Sequence, residues 1–227
     1  MGVIINTAYR VQADLLESES NIKIENGTLH VFDNELKVHL NNEIKNIPTS
    51  KYKVYTALLT QSGGDNIQVI NWDDDPNTLT IGVTYTITGN DDNSNFIPNG
   101  APNNDVGTSF VATSSVVEWG TGNTGVNQVS YNTGAPVVTV LENTIGNIWF
   151  TYNAVGVYNI NSLGLFTENK TFNTVSDNLD LRTPNAQRFS FNYTDINTGI
   201  ITVFDPIAEA GQDGNLINTP IEIRVYN

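Results

Sequence analysis

The chain contains no cysteine, so neither a disulfide framework nor a thiolate metal site can hold it together. Core burial or association has to do so instead. Histidine is nearly absent: His30 and His39 are the only two, and neither stands beside an acidic pair at metal-ligand spacing. Both read as surface or interface side chains. A Ser-His-Asp arrangement would have to be assembled around one of them in a region of short hairpins, and no catalytic motif rises elsewhere, so the chain is not expected to be an enzyme. Basic residues are scarce as well. Ten Lys and Arg stand against 24 Asp and Glu, a formal net charge of -14, and no segment is basic. Such a surface repels phosphate backbones and anionic headgroups, so neither nucleic-acid nor membrane-surface binding is expected. Long hydrophobic runs are missing too. The longest, near residues 137–141 and 200–204, are far too short to span a bilayer. The opening MGVIINTAYR lacks the basic and apolar regions of a secretory signal.

What is present is Asn, Thr and Gly in quantity, with only 15% charged residues, a mixture suited to many turns and short strands and ill suited to long amphipathic helices. The composition predicts an all-β protein. Residues 7–16, TAYRVQADLL, place Ala8, Val11 and Leu15 near helical spacing, while residues 3–5 before them read as extended. From residue 21 to 47 the pattern becomes strand-like pieces of four to six residues separated by Asn26-Gly27, Asp33-Asn34 and Asn41-Asn42, the chemistry of tight hairpins. Strands this short are marginal alone. The apolar stripe of Ile22, Ile24, Leu36, Val38 and Leu40 therefore wants another surface, either the rest of its own domain or identical chains wound together.

Pro48 with Thr49-Ser50 marks a boundary. Residues 51–63, KYKVYTALLTQSG, carry apolar groups on both faces of an extended segment and predict an interior strand covered on both sides. Strands are expected next at residues 67–72, 79–88, 108–113, 116–119 and 128–131, with 89–107 a long loop of turn formers. After Ala135 the pieces APVVTVLENT, NIWFTYN, VGVYNIN, RFSFNYTD, GIITVFD and PIEIRVYN, with a further one within 163–172, have the even spacing of a sandwich or barrel. The expected architecture is an N-terminal short-hairpin region (1–50), then an antiparallel, jelly-roll-like β-sandwich made of 51–63 plus 135–227. Residues 64–134 form an inserted β subdomain, and the 51–63 strand pairs with 137–141.

Candidate chemistry is sparse. Gly120 to Gly125 spell G-x-G-x-x-G, but a strand instead of a helix follows, which predicts a plain loop. Asp73 and Asp75 in one turn, and Asp91 and Asp92 in another, offer hard oxygen ligands suited to Ca²⁺, without the spacing of a known calcium loop; ordinary solvated turns are the competing reading. Trp72, Trp119 and Trp149 could each stack on a sugar ring; for Trp149, between Ile148 and Phe150, core packing is favoured, and Trp119, beside the Gly-rich loop, is the best exposed candidate.

The phrases KYKVYTALLTQSG and APVVTVLENTIGNIWFTYN together resemble a module of virion appendage proteins of tailed phages infecting Bacteroidota, crAss-like phages included. LTIGVTYTITGNDD with GAPNNDVGTSFVATS is similar to a second module of the same proteins, and the closing GNLINTPIEIRVYN fits as well. The resemblance covers roughly residues 51–227 and brings no catalytic residues. It implies a structural protein of the virion surface, assembled in the host cytoplasm, a head fibre before a tail fibre. It further implies an N-terminal attachment region contacting other virion proteins (capsid or tail), a homo-trimer, and a β-domain facing a host surface glycan. A carbohydrate-binding or adhesin-like bacterial module outside any virion is the alternative.

Overall fold

The structure, a computed structural model, describes residues 29–32, 35–40, 43–46, 51–74, 76–120, 125–175, 188–205 and 210–226. The 7–16 helix, Ile22, Ile24 and Asp75 fall outside them, as do residues 121–124 of the Gly-rich loop. The chain divides into two units, Met1–Lys51 and Tyr52–Asn227. In the first, β1 (Leu29–Phe32), β2 (Glu35–Leu40) and β3 (Glu43–Asn46) form an antiparallel sheet in sequence order. Phe32 pairs with Glu35 and Leu40 with Glu43, so each connection is two residues long, as Asp33-Asn34 and Asn41-Asn42 favour. Leu36, Val38 and Leu40 take alternate positions of β2.

The second unit is all-β among its described residues apart from one 3-10 turn at Ile97–Asn99. Its strands are β4 (Tyr52–Thr60), β5 (Ile67–Asn71), β6 (Thr84–Asn90), β7 (Ser109–Val111), β8 (Asn127–Asn132), β9 (Val137–Asn143), β10 (Trp149–Ala154), β11 (Val157–Asn161), β12 (Thr171–Val175), β13 (Arg188–Tyr193), β14 (Thr198–Asp205), the two-residue β15 (Ala210–Gly211) and β16 (Thr219–Tyr226). One sheet runs β12-β16-β4-β9 and a second β10-β11-β14-β13, with β15 added to β14; every pairing is antiparallel. These two sheets share one core. Alternate residues supply it: Tyr55, Ala57 and Leu59 from β4, Ile221 and Ile223 from β16, Phe150 from β10, Tyr158 and Ile160 from β11, Ile201 and Val203 from β14. The period of two in burial is what a strand with one face on a core requires, and it makes this an antiparallel β-sandwich.

β4 sits between β16 and β9, with Leu59 opposite Val138 and Ile221 opposite Ala57, which is the pairing read from the sequence. Its two faces differ, however. Tyr55, Ala57 and Leu59 are buried while Thr56, Leu58 and Thr60 are half-buried, so the strand is interior in the plane of its sheet but fully covered on one side only. Between β4 and β9 the chain builds a further sheet, β5-β8-β6-β7. Its inner residues Tyr85, Ile87, Phe110 and Val129 pack on Phe96, Ala101 and Val117 of the intervening loops, forming a second core cluster.

Several expected strands come out shorter. Residues 79–83 are not part of β6, because Gly82 at φ +86° turns the chain just before Thr84. A Cβ there would stand 2.4 Å from the Val138 carbonyl, and only glycine permits this close approach. Residues 116–119 contribute a single bridge, Asn95 to Glu118. In the stretch 163–172, β12 begins only at Thr171.

Candidate functional site

A cleft of about 270 Å³ opens where β7 and the loop before it meet β10; Asn103, Val106, Thr108, Asn147, Trp149 and Leu163 are among the residues that line it. Trp149 reaches it through strand alternation. Ile148 and Phe150 on either side are buried at 3% and 0% exposure, which turns Trp149 outward, where it is half-buried. The expected core packing of Trp149 holds for part of the ring, which packs against the sandwich core while the rest lines the cleft. Neighbours along a strand point to opposite faces, so two buried flanks argue for an outward residue between them. Val106 and Leu163 at the rim are 62% and 67% exposed.

Each wall is fixed by local polar chemistry. Asn143 Oδ1 accepts from the amides of Ile145 and Gly146 at 3.1 Å each and its Nδ2 donates to the Gly146 carbonyl at 2.7 Å, a side-chain-closed turn that delivers Asn147 to the head of β10. Asn147 Nδ2 then donates to the Ser109 carbonyl at 2.9 Å, tying that turn to β7. On the facing loop, Asn103 Oδ1 accepts from the Asp105 amide at 3.0 Å and from the Thr108 hydroxyl. The loop beneath is wired by more asparagine. Asn104 Oδ1 accepts from the Phe96 amide at 2.8 Å, and Asn90 Nδ2 donates to the Asn104 carbonyl at 2.9 Å. The Leu163 rim is held to the 195–198 turn, with the Gly164 amide on Asn197 Oδ1 at 2.9 Å. The lining carries no ionisable side chain.

The site residues read from the sequence lie elsewhere. Trp119 is not an exposed platform: it is half-buried, meets Phe96 edge-on at 5.5 Å and 90°, and donates its indole N–H to the Asn77 carbonyl at 2.9 Å. Its ring and its donor are both engaged inside the second core cluster. Asp91 and Asp92 join loop to loop. Asp91 Oδ2 accepts from the Val126 amide at 2.7 Å, and Asp92 Oδ2 from Asn127 Nδ2 at 2.8 Å. Asn127 is buried, and its Oδ1 in turn accepts from the Asp92 amide and the Ser94 hydroxyl. Asp73 lies exposed in the turn after β5, where the neighbouring Asp74 caps the Asn71 amide at 2.6 Å. Among the described residues no three His, Asp or Glu side chains converge on a point.

One carboxylate is more heavily engaged. Asp213 accepts from the Tyr152 hydroxyl at 3.0 Å, the Tyr158 hydroxyl at 3.0 Å and the Gly156 amide at 2.8 Å. Burial first, and then the bond to Asp213, pushes both phenols above their ordinary range, so they remain neutral donors at physiological pH. The cluster locks Asp213 and the segment around it to β10 and β11.

Sequence reasoning passed over Asn103, Asn147 and Leu163 because nothing in a string of turn formers says which asparagine faces a cleft. Only Trp149 carried a usable signal, in its flanks. No family model, curated protein or solved structure matches the chain.

Proposed function

We propose that the chain is a non-enzymatic structural protein of a phage virion, a fibre-like surface appendage of the head before the tail. In this reading the N-terminal region attaches it and the β unit is displayed for adhesion. One observation carries the reading. The phrases that resemble appendage modules are neighbours in space: KYKVYTALLTQSG holds β4, APVVTVLENTIGNIWFTYN holds β9 and β10, and GNLINTPIEIRVYN ends in β16, with β16, β4 and β9 successive in one sheet. LTIGVTYTITGNDD and GAPNNDVGTSFVATS likewise supply the paired β6 and β7. Phrases that recur together would be expected to fold together if each is a building block of a scaffold, and no catalytic group has to be added to explain them. The division at Lys51, with a small sheet ahead of the larger unit, suits an attachment segment that joins a homo-trimer.

The test is location. An antibody to this chain, imaged on purified particles, should decorate the virion surface at fixed sites; label confined to free protein overturns the appendage reading and leaves an adhesin-like module outside any virion. Mass photometry of the full chain should report a trimer, and a monomer at micromolar concentration counts against the fibre form.

A further inference from the structure

We infer that the cleft between β7 and β10 is a preformed binding site for one ring of a neutral saccharide, with Trp149 as its platform. The inference deepens the adhesive part of the proposed function and rests on it. Three features lead to it. First, Trp149 is a large aromatic, half-buried against the sandwich core and lining the cleft, whose indole N–H has no partner among the described residues, in contrast to Trp119, whose donor is used. A tryptophan N–H in a partly buried setting ordinarily finds an acceptor. Second, the same lining holds further polar capacity with no partner among the described residues: Asn147 Oδ1, whose Nδ2 is committed to Ser109, and Asn103 Nδ2, whose Oδ1 is committed to Asp105 and Thr108. The bonds already made fix each amide, so the spare donor or acceptor is held ready and orders at little entropic cost. Third, the lining is free of charge while the chain as a whole carries -14.

A pyranose ring answers all three. It has an apolar C–H face that can lie on an electron-rich indole, and a rim of hydroxyls that both donate and accept. Val106 and Leu163 would cover the edges of that face. At about 270 Å³ the cleft is below the usual range of roughly 300–1,000 Å³ for drug-sized ligands, which suits a single residue of a longer glycan. Sialic acids, uronic acids and sulfated sugars are disfavoured, because no cation in the lining would offset the field of an acidic protein.

The experiment is a printed array of neutral hexose and N-acetylhexosamine oligosaccharides beside sialylated, uronic and sulfated ones, probed with the full chain. Hits are followed by titration of intrinsic tryptophan fluorescence with the same oligosaccharide. Binding to neutral members only is expected, with loss of about thirtyfold or more on Trp149→Ala and an intermediate loss on Trp149→Phe, which keeps a ring and drops the donor. Leu163→Arg, at an exposed rim position, should block the cleft without touching the core, and it keeps the test valid if Trp149→Ala does not fold. Trp119→Ala in a folded variant should leave affinity unchanged. No neutral ligand at millimolar concentration, preference for acidic glycans, or binding that survives both Trp149→Phe and Leu163→Arg overturns the inference. Decorated virions without saccharide binding would sink this inference alone; Trp149-dependent binding without decorated virions would sink the appendage reading alone.

Discussion

At the scale of single residues, two tyrosines of one core make opposite predictions. Tyr55 is buried with no partner for its hydroxyl among the described residues, whereas the Tyr158 hydroxyl rests on Asp213. Removing an unsatisfied buried hydroxyl costs nothing, and removing a donor from a carboxylate leaves that carboxylate short. Tyr55→Phe should therefore leave stability at pH 7 unchanged or raise it by up to about 1 kcal/mol, while Tyr158→Phe should lower it by about 1.5–3 kcal/mol; urea unfolding midpoints decide. Both phenols are held above their ordinary range, by burial at Tyr55 and by burial followed by the Asp213 bond at Tyr158. In the unfolded chain they ionise near pH 10 or so, so above that pH the unfolded state sheds protons that the folded state keeps. Stability is then complete below about pH 10 and falls as pH rises toward the folded values. Unfolding at about pH 10.5 should show a smaller alkaline loss for Tyr55→Phe than for the parent chain.

At the scale of elements, the loop over residues 89–107 behaves as a built part because its asparagines are used as fasteners. Asn99 is fully buried and donates to the carbonyls of Ser114 and Val116 at 3.0 and 2.8 Å, and Asn127 bridges Asp92 and Ser94. Asn127→Ala removes a buried side chain that bonds the buried Ser94 and the half-buried Asp92, and should cost about 1–3 kcal/mol. The loss should appear first as protease cleavage within 89–107, ahead of global unfolding. Cleavage no faster than in the parent chain would show that the loop is held by its apolar contacts with Phe96 instead. Gly82→Ala belongs to the same scale. The positive φ and the Val138 carbonyl at 2.4 Å from a built Cβ both oppose it, and a fall in melting temperature is expected. Legibility from sequence also divides here. The strands after Ala135 and the pairing of β4 with β9 could be read, since alternation and turn residues are local signals. Where β6 begins was not readable, because Gly82 turns the chain ahead of the strand at a positive φ, in close approach to Val138 far along the chain. The cleft was hidden for the same reason: its walls come from β7, β10 and the 162–164 turn, and no local pattern brings those together. Trp119 misled because adjacency to glycines reports loop chemistry and carries no information on what the ring meets in space.

At the scale of the whole molecule, the sandwich depends on a strand that arrives early in the chain. β4 lies between β16 and β9, so a fragment of residues 135–227 lacks the central member of one sheet and exposes the unpaired edges of its neighbours. Such a fragment should give no dispersed amide spectrum alone, and mixing it with a 51–134 fragment should restore one. An independently folded 135–227 fragment would reduce β4 to an accessory strand. That central position also has a mechanical meaning. Tension applied at Lys51 enters along the axis of β4, which is laddered on both sides, Tyr52 to Tyr226 on one and Thr60 to Val137 on the other. Interstrand hydrogen bonds run across the strands, so a pull along β4 loads both ladders together in shear instead of opening them one bond at a time.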